Sequence, residues 1–276
     1  MTHDTAPALF ATETRPGIFR LPSEWGLWQR VSVIPAVSET VFVPSIYHAD
    51  INTLAGISVA WTSEGGEKPE TEPVFEASTL RCHEVAAYIE IGDLALHRAP
   101  SLEAAIAGLL MDAVRVALDT AIVSGDGTTQ PLGILNTAGV RIVPRQAAGA
   151  VSYQDVVNLK HSVLPEHRGR AVFVLQDAVE EGIEAAIGPT GAALNGRLLG
   201  HEYIVNRHAG QLGERGDIVF GNPAAYALAV STELVVRKST HFRFRENRTA
   251  LKVVIVAGGT LVAPHAFAIL GGPVES

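Results

Sequence analysis

Gly125-Asp126-Gly127-Thr128-Thr129-Gln130-Pro131-Leu132-Gly133-Ile134-Leu135 is the stretch on which the reading of this chain turns. It follows directly on a long amphipathic helical pattern that starts near Ser101. Glycine accepts backbone angles of either sign and Pro131 cannot continue a helical ladder, so the helix must stop here. A long helix delivered into a fixed, glycine-shaped turn is an architectural joint. The rival reading is a phosphate cradle. Against it, the G-x-x-x-x-G-K-[ST] spacing is absent, and a cradle sits before a helix, where free amides face the anion.

Working outward, residues 101–123 carry the clearest helical pattern. Pro100 precedes it, Ser101 is placed to cap it, and Glu103 stands where the helix dipole favours an anion. Leu102, Ile106, Leu109, Leu110, Ala113, Ala117 and Ala121 recur on one face. Asp112, Arg115 and Asp119 line the other, spaced to pair. At 1.5 Å per residue the helix spans roughly 30–35 Å, the length of a strut. Upstream, residues 41–60 are β-branched and extended, residues 62–73 polar and turn-rich, and residues 75–91 strand-like again. Two extended runs around a polar tip predict a long hairpin that projects from the body. Residues 1–40 hold four prolines with Phe10, Phe19, Trp25 and Trp28. They read as an arm laid across a neighbouring surface, with a frayed terminus as the alternative.

From about residue 140 the texture becomes α/β. Ser152 with Asp155 predicts a capping box opening a helix at 153–163, and Pro165 lies beyond its end. Residues 171–175, 203–205, 217–220, 226–230, 234–236, 249–256 and 260–263 read as short strands, and 176–187 as a second helix. Gly258-Gly259 between two apolar runs predicts a hairpin turn.

Composition bounds the function. Of 276 residues, 47% are apolar, enough for a large core, and only 18% are charged, which hints at surface buried against other subunits. The net charge of −8 argues against tight, sequence-independent nucleic-acid binding but not against enclosing nucleic acid. Cys82 is alone, so no intrachain disulfide or Cys-based zinc site is available, and it reads as a small core residue. No secretory signal and no apolar run of about 18 residues is present, so the expectation is a soluble product of the cytoplasm.

No catalytic cluster emerges. Ten histidines are scattered, without H-E-x-x-H and without a carboxylate at ligand spacing. G-x-S-x-G is absent. Glu64, Glu67, Glu70 and Glu72 lack the EF-hand pattern and read as a solvated loop. Arg243, Arg245 and Arg248 with Phe242 and Phe244 read as strand alternation, aromatics inward and arginines outward. The expectation is therefore no enzyme, no cofactor and no metal.

The order of parts is specific: arm, projecting hairpin, long helix, glycine joint, α/β region, closing strands. It resembles the major capsid proteins of tailed bacteriophages, the HK97-like fold. The resemblance rests on Ala60-Trp61 with Glu64-Gly65 and residues 69–71 at the loop, then Phe75 and Leu80. It continues through Ser101-Leu102, residues 119–122 and 125–135, and ends with 217–220 and 262–267. It implies an α+β fold with an N-terminal arm (1–40), a strand and extended β-hairpin loop (41–92, the loop itself at 47–80), a peripheral domain with a spine helix (93–138), an α/β axial domain (139–250) and C-terminal strands returning to the peripheral domain (251–276).

The implied function is self-assembly of pentamers and hexamers into an icosahedral shell around double-stranded DNA. The implied partners are copies of itself, a portal, and separate scaffold or decoration proteins, with no membrane. The implied location is the virion, after synthesis in the bacterial host cytoplasm. A gene-transfer-agent capsid and an encapsulin-type nanocompartment shell are the alternatives, and a soluble α/β enzyme is the third class. Many relatives begin with a long charged scaffold segment, which here is absent, separate or removed. Trp61, Glu64, Lys68 and Glu70 are expected to touch a neighbouring subunit, and Trp25 and Trp28 to anchor the arm. Some relatives weld subunits by a Lys–Asn isopeptide bond. Lys68 and Asn247 stand at those positions, but the carboxylate position falls on Val254, which cannot move a proton. No cross-link is expected.

Overall fold

One strand organises the molecule. In the computed structural model the described residues are 26–36, 38–46, 57, 59–68, 70–72, 75–99, 101–147, 149–187, 196–206, 209–231 and 235–272. Within them, β1 (Ser32–Pro35), β2 (Thr40–Ile46) and β3 (Phe75–Gly92) come first. β3 has 18 residues and serves two partners in turn. Its first part pairs antiparallel with β2, from Ile46 opposite Phe75 to Thr40 opposite Arg81. Its second part pairs antiparallel with β11 (Arg248–Leu261), from Gly258 opposite Cys82 to Arg248 opposite Gly92. The hairpin leaves the sheet on a strand that lies between β2 and the central β11. The predicted hairpin is present at its root. Residues 47–56, where its outgoing leg was placed, lie outside the described residues, as do residues 1–25 of the arm, Trp25 among them.

After β3 come α1 (Asp93–Arg98) and α2 (Leu102–Ser124), then β4 (Arg141–Val143), α3 (Tyr153–Ser162), α4 (Pro165–Arg168), β5 (Val172–Leu175) and α5 (Asp177–Ile187). The strands β6 (Arg197–Leu198), β7 (His201–Val205), β8 (Ile218–Gly221), β9 (Tyr226–Val230), β10 (Val236–Arg243) and β12 (Phe267–Leu270) complete the set with β11. One mixed sheet runs β1-β9-β11-β3-β2, with β10 also on β11, and a second runs β4-β12-β8-β5-β7-β6.

The helix α2 backs the first sheet. Leu102, Leu110, Val114 and Leu118 pack on Leu251, Val253, Ile255 and Ala257. The buried stripe steps by four residues, through Ile106 and on to Ile122, so it is narrower than the expected face. Leu109, Ala113 and Ala117, assigned inward from sequence, are exposed beside Val116. Ser101 is also not a cap. Its backbone is helical (φ −76°, ψ −10°) instead of the extended form from which a cap side chain reaches the second and third amides, and its side chain accepts no cap hydrogen bond.

The capping box is present as expected. Ser152 Oγ accepts from the Asp155 amide, and the buried Asp155 carboxylate accepts from the Ser152 amide and hydroxyl. It also accepts from the Gln146 amide at 3.0 Å. α3 and α5 cover one face of the second sheet, where Val156, Leu159, Val179 and Ile183 meet Phe173, Leu175, Ile218 and Phe220. The opposite face joins the first sheet: Val174, Ile204, Val219 and Ile269 share a cluster with Ile122, Ile134, Tyr226 and Leu228. Arg145 and Asp217 form a fully buried ion pair at 2.5 Å, and the guanidinium also donates to the carbonyls of Ala150, Glu214 and Gly271. Pro165, placed beyond the end of a helix, starts α4 at its first position, where a missing N–H costs nothing.

Gly258-Gly259 is not a turn. Both lie inside β11, and the reason for glycine is close approach. A Cβ on Gly258 would stand 2.6 Å from Arg81 O, and one on Gly259 would stand 2.5 Å from the Tyr226 hydroxyl oxygen.

Candidate functional site

The glycine joint is built around Asp126. Its carboxylate accepts from the amides of Thr128 (2.9 Å), Thr129 (2.9 Å) and Gln130 (3.0 Å) and from both threonine hydroxyls at 2.8 Å. Those donors, led by the Thr128 amide, hold the carboxyl well below the usual carboxylate range. The glycines are dictated by proximity. A Cβ on Gly125 would fall 2.0 Å from Pro131 O, and one on Gly133 would fall 2.4 Å from Gly125 N. Gly127 has φ +72°, where a side chain is strained. The joint is then tied to the sheet: the Leu132 amide donates to Gly259 C=O, the Tyr226 hydroxyl donates to Leu132 C=O, and Asn136 Nδ2 donates to the carbonyls of Ser124 and Gly125. The polar groups are used internally, which leaves structure rather than phosphate binding as the joint's role. A cleft of about 390 Å³ lies between the joint and the hairpin root, lined by Thr79, Arg81 and His83 of β3.

The hairpin tip is the opposite case. Trp61 is fully exposed and Val59 nearly so. Glu64, Lys68 and Glu70 are exposed as well. The Gly66 amide donating to Ser63 C=O closes the turn, with Gly65 at φ +77°.

Trp28 is held by its own chain. Its amide donates to Asp119 Oδ1 at 2.8 Å, and the Arg115 guanidinium sits 5.4 Å from its ring centroid. Asp119 therefore belongs to the arm's seat rather than to an outer face, and burial pushes its carboxyl up to about 6 against the hydrogen bonds from the Trp28 and Leu27 amides. Asp112 and Arg115 do pair, at 3.2 Å.

The Phe–Arg strip does not alternate. β10 pairs with β11 from Val236 to Ser239, then the register shifts before Arg243. Beyond Val236 every residue of β10 is exposed, so Phe242 and Phe244 face solvent beside Arg243. Phe242 stacks edge-on against the exposed Tyr88, with ring centroids 6.3 Å apart. Glu90 receives the Tyr88 hydroxyl at 2.8 Å and both Arg243 (3.2 Å) and Arg248 (3.4 Å). Its carboxyl is held below the usual range, by the Tyr88 donor first and the two guanidinium charges after.

Asn247 sits in the β10–β11 turn in left-handed backbone (φ 49°, ψ 54°), a conformation asparagine tolerates well. Val254 is exposed on β11, and Lys68 lies on the tip.

Sequence spacing showed no metal ligands, yet the fold gathers one set among the described residues. Glu166, His167 and His265 place a ligand atom each within 4.8 Å of one another. Pattern reading missed it because His265 lies in the turn between β11 and β12, far along the chain from α4.

The sequence matches the Phage capsid family over residues 8–272. No curated protein matches it. Among solved structures, the chain is similar to the capsid of an empty GTA particle computed with C5 symmetry, at TM-score 0.82 and 22% identity over 97% of this chain and 96% of that one. It is similar to the capsid of a native GTA particle at TM-score 0.77 and 22% identity, over 98% of each chain. It is similar to a chain from Gordonia phage Cozz at TM-score 0.65 and 15% identity, over 97% of this chain and 93% of that one.

Proposed function

The chain belongs to the phage capsid family, and on that premise we propose that it self-assembles into hexamers and pentamers of a closed icosahedral shell around double-stranded DNA. The observation that carries this reading is the exposed hairpin tip with its unburied Trp61, mounted on a strand that continues into a core sheet alongside its central strand β11. An indole in water on a projecting loop gains by docking on another surface, and closed shells need repeated contacts of that head-to-tail kind.

The tip residues Trp61, Glu64, Lys68 and Glu70 are assigned to the neighbouring subunit, and Trp25 and Trp28 to seating the arm. The sheet backed by α2 supports a peripheral domain drawn from 93–138 and 251–276. The helix-covered sheet of β5, β7 and β8 supports an axial domain within 139–250. The two units interleave, since β9 and β10 pair with β11 while β12 pairs with β8. A net charge of −8 suits a wall that slides over packaged DNA instead of gripping it. The role is structural, without catalysis or cofactor. The site of action is the virion after synthesis in the host cytoplasm, with portal, scaffold or decoration proteins as partners. Lys68 and Asn247 form no cross-link, because Val254 supplies no base.

A second reading, the shell of a gene-transfer particle, is favoured by the higher structural agreement with the GTA capsids than with the Gordonia phage chain. Electron microscopy of the purified protein tests the proposal: closed shells are expected, and an exclusively monomeric species at high concentration overturns it. Sequencing the packaged DNA separates the readings, since a phage carries its own genome and a gene-transfer particle carries host fragments. A protein cargo in place of DNA would mark a nanocompartment.

A further inference from the structure

We propose that Glu166, His167 and His265 form a transition-metal site, for Zn2+ in the first instance, that fastens α4 to the corner between β11 and β12. The three donors come from two short turns, each started by a proline. Pro165 opens α4, which carries Glu166 and His167, and Pro264 opens the single 3-10 turn that carries His265. Both turns are closed by their own backbone bonds, His167 N–H to Leu164 C=O and Ala266 N–H to Ala263 C=O, each at 3.0 Å. The donors are therefore held by rigid backbone.

The geometry is close to what a metal needs. Bonds of about 2.0–2.1 Å in a tetrahedron set donors roughly 3.3–3.5 Å apart. Glu166 Oε1 and His167 Nε2 already stand 3.4 Å apart. The His167 and His265 rings are 5.1 Å apart between centroids and tilted by 52°, so they converge without stacking flat. With all three donor atoms within 4.8 Å, small side-chain rotations close the set. Burial is graded: His167 is 19% exposed and Glu166 60%, giving a dry imidazole side and an open carboxylate side through which an ion enters.

The donor set selects the ion. Two imidazoles and one carboxylate suit Zn2+, and also Ni2+ or Cu2+, whereas Mg2+ and Ca2+ want oxygen alone. The fourth position would hold water. The guanidinium next along the chain is engaged elsewhere: Arg168 donates through Nε to Val163 C=O (2.7 Å) and through Nη2 to His161 C=O (3.0 Å). A bound ion would tie α4, the element that leads into β5 of the second sheet, to the segment through which the chain passes from the first sheet to the second. This inference does not depend on shell assembly.

The test titrates Zn2+ into the full-length, chelator-stripped protein against a chromophoric zinc indicator. One equivalent is expected to bind tightly and to raise the melting temperature, reversibly with EDTA. His167→Ala and His265→Ala should each weaken binding by more than about 100-fold, beyond the 10–100-fold that losing a mere supporting group costs. Glu166→Gln should weaken it less, and His241→Ala, on exposed β10, should leave it unchanged. Co2+ added to the unmutated protein gives a readout that does not depend on variants folding: strong visible absorption from a four-coordinate ion is expected. Zinc uptake that survives both histidine variants, no uptake at all, or only the weak spectrum of hydrated Co2+ would overturn the proposal.

Discussion

The joint at 125–135 and the tip at 59–72 are both polar, glycine-containing loops, and they solve opposite problems. In the joint, five donors converge on Asp126, and Leu132 is tied to Gly259 and Tyr226. In the tip, Trp61 and the charged side chains around it face solvent. The joint is finished within one chain, and the tip has its large side chains in solvent. Composition does not separate such loops; the location of their hydrogen-bonding and apolar partners does.

This contrast can be broken experimentally. Deleting residues 62–73 should abolish shell formation while the monomer keeps its melting transition. Normal shells in electron micrographs of that deletion would show that the tip is dispensable. Within the same deletion background, Gly133→Ala should cost about 3 kcal/mol or more of stability in urea denaturation, since its new Cβ meets backbone that cannot yield. Arg145→Met should cost about 3–5 kcal/mol, because it strands the buried Asp217 charge. Trp61→Ala sharpens the comparison from the other side: monomer stability should stay within about 0.5 kcal/mol while the yield of shells falls.

The smallest effect is one of pH. Asp119 binds its proton more tightly folded (pKa about 6) than unfolded, so its contribution is fully present below about 4 and is lost as pH rises through about 6. Asp119→Asn should flatten that part of the stability–pH curve while still accepting from the Trp28 amide. An unchanged slope between pH 4 and 6 would remove Asp119 from the account.

What could be read in advance was local. The helix at α2, the capping box at Ser152 and the glycine joint are determined by residues a few positions apart, and periodicity and turn chemistry expose them. The misses are non-local. Gly258-Gly259 looks like a turn until Arg81 and Tyr226 are seen pressing on it from other strands. Leu109 fits a helical stripe, but the stripe of α2 that packs on β11 steps by four residues from Leu102 to Leu118 and leaves Leu109 outside it. Asp119 looked like a solvent-side charge because the Trp28 backbone that claims it lies far upstream. Phe242 and Phe244 failed the alternation rule because β10 leaves its ladder after Ser239. The Glu166–His167–His265 set required the whole fold to bring its members together.

The continuity of β3 gives the molecule a mechanical character. Tension on the hairpin would travel down a single covalent strand and arrive parallel to the ladder that joins it to β11. Cross-strand hydrogen bonds run perpendicular to such a pull, so they are sheared together instead of unzipping one after another. A strap rooted this way yields only when the whole seam slips.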